Sequence, residues 1–185
     1  CVEFIILSIE DTLQFHLSVM KKEKSFSKML KKQQIIYKII LIYFFSFSVC
    51  SADLIKPNNK IEPYQVVEIQ LKSLQKNNLP NVDNGIEQTW EFAHPDNKRN
   101  TGPLDRFKNM LKSKSYRILL DHLDHEIIQE NSTLSGAIFE VRVLGKDKSY
   151  YKFKWQVEKY NKEGPLKDCW LTTMVSAPTP LGSSI

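Results

Sequence analysis

Apolar and polar side chains alternate along the second half of the chain. In residues 136–145, Phe139, Val141 and Val143 alternate with Ile138, Glu140, Arg142 and Leu144. In residues 150–160, Tyr151, Phe153, Trp155 and Val157 alternate with Lys152, Lys154, Gln156 and Glu158. A period of two sends the sets to opposite faces of a strand, so this pattern predicts antiparallel strands with one wet face. "HEIIQE" and "CWLTTMVSA" read as further strands, separated by the turn clusters "NSTLSG", "GKDKS" and "NKEGPLKD".

The period is helical earlier in the chain. Val66, Val67, Gln70, Leu71 and Leu74 share one face behind Pro63, which suits a first helical turn. Asp83 is expected to cap a second helix carrying Ile86 and Trp90, which Pro95 ends. "DNKRNTG" reads as a loop. Pro103 opens a third helix in which Leu104, Phe107 and Leu111 share a face, closing at Ser113–Ser115. Helices followed by a meander define an α+β class, with the helices expected to cover the Phe139, Val141, Phe153 and Trp155 side. Residues 63–176 hold this domain, residues 53–62 a polar linker, and residues 177–185 a frayed tail.

The segment before the linker has a different character. Lys31, Lys32 and Lys38 precede an apolar run, Ile39 to Val49, followed by Cys50, Ser51 and Ala52. Residues 29–52 read as a secretory signal peptide starting at Met29 and cleaved after Ser51 or Ala52. The alternative is a retained membrane anchor over residues 33–52, with Lys38 snorkelling. No role is read into residues 1–28. The expected location is the secretory pathway, the exterior or an organelle reached through that pathway. Asn131-Ser132-Thr133 is an N-glycosylation acceptor triplet, placed by this reading in a polar turn.

The net charge of +5 invites a nucleic-acid reading, but its distribution argues against one. Residues 1–52 hold 7 lysines against 4 acids, and residues 53–185 hold 19 cations against 17 acids. Cys1, Cys50 and Cys169 form neither a disulfide framework nor a zinc spacing.

The segments "VVEIQLKSLQKNN", "GIEQTWEFAHPDNKRNTGPLDRFKNMLKSKSYRILLDH" and "CWLTTMV" resemble an uncharacterised family of bacteria and algae, domain of unknown function 4864. The likeness spans most of residues 63–176. It implies a cystatin-like fold similar to nuclear transport factor 2, in which a curved antiparallel sheet wraps around helices as a cone. It carries no established activity and no catalytic residue.

Candidate chemistry concentrates in residues 92–107. His94, Asn97, Arg99, Thr101 and Arg106, with Lys98 beside them, are candidates to converge on an anion or another small ligand, Arg106 as a bidentate clamp. The competing reading is turn chemistry that only holds the loop. His122 and His125 lie among Asp121, Asp124 and Glu126, but ligand number and spacing fall short of a metal site, so no metal is expected. A hydrogen-bonded histidine at the helix–sheet junction is the favoured reading there. No Walker, dinucleotide, nucleophile-elbow or zincin pattern occurs, so no cofactor is expected. The resulting expectation is a non-enzymatic domain binding a small ligand or protein partner in the cone. The alternatives are a hydrolase or isomerase using His94 with Asp96 or Asp121 as base, and a membrane-tethered interaction module if residues 33–52 are retained.

Overall fold

The chain divides into two units, Cys1–Cys50 and Ser51–Ile185. The structure is a computed structural model that describes residues 53–183 and, before them, Gln33 alone. The leader and anchor readings of residues 29–52 therefore lie outside the described residues. Among the described residues, no helix is long and apolar enough to cross a membrane.

Within residues 53–183, four helices come first: α1 (Pro63–Gln75), α2 (Asn84–Glu91), α3 (Pro95–Thr101) and α4 (Leu104–Lys112), followed by a 3₁₀ turn at Arg117–Leu119. Five strands follow: β1 (Asp124–Ser132), β2 (Gly136–Leu144), β3 (Ser149–Lys159), β4 (Trp170–Val175) and β5 (Thr179–Ser183). The fold is α+β. The sheet is antiparallel and open, in the order β1-β2-β3-β4, with β5 also pairing with β3. β4 lies along Trp155–Lys159 of β3, and β5 along Ser149–Lys152, so the two share one edge of that long strand.

The alternation seen in the sequence is realised. Ala137, Phe139, Val141 and Val143 of β2 and Phe153, Trp155 and Val157 of β3 are buried. They belong to one apolar cluster with Val66, Val67, Leu71 and Leu74 of α1 and with Ile86, Phe92, Phe107, Leu111 and Leu119. Each large side chain so buried contributes about 1.5–3 kcal/mol. On the other face, Glu140 binds Arg142 at 2.8 Å and Lys152 at 3.4 Å. The Arg142 hydrogen bond, then that of Lys152, holds the Glu140 carboxyl below its usual range.

Four readings are corrected. Residues 96–102, read as loop, lie almost wholly in α3, which runs to Thr101. His94 Nδ1 accepts from Asp96 N at 3.1 Å, Pro95 opens the helix, and Gly102, at φ 83°, closes it. No residue of α3 is buried, so it shows no apolar stripe. The tail read as frayed forms β5, held by backbone pairing along an edge β4 leaves open. The linker read at 53–62 is strapped down. Ile55 N donates to Gln88 Oε1 at 2.7 Å, Gln88 Nε2 donates to Ile55 O at 2.8 Å, and Lys56 pairs with Glu91 at 3.0 Å. Asp83 precedes α2 but makes no side-chain cap there. Its carboxylate instead accepts from Lys112 Nζ at 2.6 Å and from Asn77 Nδ2 at 3.5 Å. Asn77 does the capping, its Oδ1 accepting from Ile86 N at 3.1 Å and its O from Gly85 N at 2.9 Å.

Gly85 of α2 lies tight against the end of α1. A Cβ there would stand 2.1 Å from Ser73 O and 2.9 Å from Asn77 Cα. Both are backbone atoms that cannot swing away. Gly85→Ala is expected to lower unfolding stability by about 2–4 kcal/mol in urea titrations, well beyond an ordinary surface substitution. A change below 0.5 kcal/mol would contradict the close approach.

Candidate functional site

A pocket of about 180 Å³ opens among the helices and the β3–β4 part of the sheet. Its lining includes Gln70, Leu74, Phe107, Leu111, Trp155 and Thr172, all of them buried. Thr101, Met110, Tyr116, Thr173 and Val175 line it as half-buried residues, and Met174 is exposed. No Asp, Glu, His, Lys or Arg is among the lining residues.

One amide organises the buried lining. Gln70 Oε1 accepts from Thr172 Oγ1 at 2.7 Å and from Trp155 Nε1 at 3.1 Å, while Gln70 Nε2 donates to Thr89 O at 3.1 Å. Gln70 stands on the buried face of α1 between Val66, Val67, Leu71 and Leu74. A polar residue inside an apolar helical stripe is the sequence signal that marks it. Thr172 carried no comparable signal, because a threonine suits a strand on either face.

The candidates of residues 92–107 divide between the pocket and the surface. Asn97 and Thr101 line the pocket. Thr101 Oγ1 donates to Asn97 O at 2.8 Å, and Asn97 Nδ2 reaches Thr172 O at 3.5 Å. His94, Arg99 and Arg106 are not among the lining residues. The His94 ring caps α3 and meets Tyr160 with ring centroids 5.4 Å apart. Arg99 pairs with Asp96 on the surface. Arg106 is exposed, its Cδ lying against the place a Gly102 Cβ would take. Lys98 sits over the Trp90 ring, 5.4 Å from its centroid, and burial pushes its pKa down. These cations do not converge on one point, because Lys98 and Arg99 are successive residues of α3 pointing in different directions and Arg106 stands on α4.

The proposed His-carboxylate bases are not assembled around the pocket. His94 Nδ1 stands 3.8 Å from Asp96 Oδ2, beyond hydrogen-bond reach. Asp121 is engaged by Lys146 at 2.9 Å, in a separate surface groove of about 640 Å³ that also holds Lys112 and Arg117. Another groove, of about 630 Å³, is lined by Glu126, Glu140 and Arg142, whose charges pair with one another. Cys169 is buried, and desolvation raises its thiol pKa, with the Asp168 charge adding to the effect.

His122 and His125 form a chain at the helix–sheet junction. His122 Nδ1 lies 2.8 Å from Leu119 O, and its Nε2 lies 2.8 Å from His125 Nδ1. A carbonyl only accepts, so His122 carries its proton on Nδ1 and His125 donates to His122 Nε2. Burial pushes the His122 pKa down to about 4 and is also the main cause lowering that of His125. Among the described residues, no group of three or more His, Cys, Asp or Glu is placed to hold a metal ion. Asn131 is exposed in β1, at its register shift, rather than in a turn.

Comparison of the chain with protein-family models, with curated proteins and with solved structures found no match.

The histidine chain makes stability depend on pH. Unfolded His122 takes up a proton near pH 6.5, whereas the folded side chain does so only near pH 4. The unfolded state therefore binds more protons between these values, and stability falls as pH drops from about 6.5 to 4. The expected loss is about 2–3 kcal/mol in urea unfolding across that window, and His122→Gln should flatten the slope. An equal slope in the variant would place the pH dependence elsewhere.

Proposed function

We propose that this domain is a non-enzymatic binding module that takes up a small uncharged molecule in the pocket among α1–α4, β3 and β4. The observation that carries this reading is the lining: a concave site with amides, hydroxyls and apolar walls and no carboxylate, imidazole or cation. Burying a charged ligand there would cost its hydration with no counter-charge to offset it. Acid–base catalysis would lack a carboxylate or imidazole as proton carrier, and the Tyr116 hydroxyl is turned to Val175 O at 3.4 Å. A volume of about 180 Å³ is on the scale of a single ring, since apolar cavities of about 150 Å³ take up benzene. Helices followed by an antiparallel sheet, with one apolar cluster drawing on both, also accord with a cystatin-like cone and with the resemblance to domain of unknown function 4864.

The test uses indole as probe in thermal-shift and ligand-observed NMR titrations. At ten times its Kd it should add about 1.4 kcal/mol to stability. Thr101→Phe, which fills the pocket, should remove the response, and Arg106→Ala should leave it intact. A response that survives Thr101→Phe, or is lost in Arg106→Ala, would move the site to the α3 surface.

Export by residues 29–52 is part of the same proposal. It is supported by the sequence alone: the apolar run from Ile39 to Val49 behind Lys31, Lys32 and Lys38, and the small residues Cys50, Ser51 and Ala52 after it. Intact-mass measurement of protein recovered from a secreting host should show an N-terminus at Ala52 or Asp53. Recovery in the membrane fraction with residues 33–52 retained would support the tethered module instead.

A further inference from the structure

The hydroxyl groups of the pocket have their protons committed. Thr101 Oγ1 donates to Asn97 O at 2.8 Å, Thr89 Oγ1 to Gly85 O at 2.8 Å, and Thr172 Oγ1 to Gln70 Oε1 at 2.7 Å. Thr173 Oγ1 donates to Gln156 O at 3.3 Å, and Tyr116 Oη to Val175 O at 3.4 Å. A hydroxyl that donates its one hydrogen still offers lone pairs. Asn97 adds a side-chain carbonyl that accepts no hydrogen bond among the described residues. Against these acceptors, Asn97 Nδ2 keeps a spare N–H, and the second N–H of Gln70 lies at the fully buried end.

We infer that the pocket selects hydrogen-bond donors: its ligand is an uncharged, ring-sized molecule bearing an O–H or N–H, such as a phenol, an indole or a primary alcohol on an apolar body. This inference rests on the binding reading above and specifies its ligand class. The reason is an exchange argument. A ligand donor adds a bond to a free lone pair and disturbs nothing. A ligand acceptor finds one spare donor in reach, the second N–H of Asn97 Nδ2; at every hydroxyl it must turn the group away from the acceptor already served, so one bond replaces another and the net gain is near zero.

The test compares matched pairs on the purified full chain: phenol against anisole, and indole against 1-methylindole. Each pair has the same ring, and in each the second member has lost its donor. Ligand-observed NMR titrations should give Kd values about three- to tenfold lower for phenol and indole, the range expected from one net hydrogen bond. In the Thr101→Val, Thr173→Val double variant, which removes two of the acceptors, the preference should shrink to within twofold. Equal affinity within each pair would overturn donor selection while leaving the pocket as a binding site. Saturable binding by none of the four would overturn the binding reading, and the inference with it.

Discussion

The buried Gln70 side chain is the constraint on which the arrangement of this domain depends. It stands on α1, accepts from β3 through Trp155 and from β4 through Thr172, and donates to the backbone of α2 at Thr89. Four elements are thereby referred to one amide. Each such bond is worth only about 0.5–1.5 kcal/mol net, but leaving its buried partners unpaired would cost more than the bonds contribute. The amide therefore sets register more than it adds strength: a shift of α1 against the sheet would break the bonds to Trp155 and Thr172 together, and a shift against α2 the bond to Thr89. The apolar cluster supplies the larger free energy but has no preferred orientation of its own.

The same amide explains why a pocket exists beside a well-filled core. The sheet face between Phe139 and Val157 is closed by α1 side chains, whereas next to Thr172 the packing layer becomes polar and the helices α3 and α4 approach with Asn97, Thr101 and Met110. Polar groups that satisfy one another leave room that apolar packing would have filled. The pocket thus lies at a boundary, where the aliphatic part of the core gives way to hydroxyls and amides.

Legibility in the sequence followed burial. β2 and β3 could be read because Phe139, Val141, Phe153 and Trp155 alternate with charges, and α1 because its stripe buries four aliphatic side chains. α3 and β5 were missed because neither buries a residue: a capping ring, an opening proline and a closing glycine hold one, and backbone pairing alone holds the other. The candidate site was half visible. Asn97 and Thr101 stood out as polar residues in a dense polar stretch, but so did His94, Arg99 and Arg106, and only the geometry of α3 and α4 separates them. Gln70 was present in the helical stripe as its one polar member, and Thr172 was indistinguishable from an ordinary strand residue.

β5 has a consequence for how this domain behaves among its own copies. Without it, Ser149–Lys152 of β3 would present bare peptide groups beside an apolar face, the arrangement from which strands recruit strands of neighbouring molecules. The closing segment carries Pro178, Pro180 and Gly182, residues that pair poorly with anything further out. It acts as a selvedge: it finishes the exposed border of the weave with a thread that will not take another stitch. Chains clipped before Thr179 would be prone to clump.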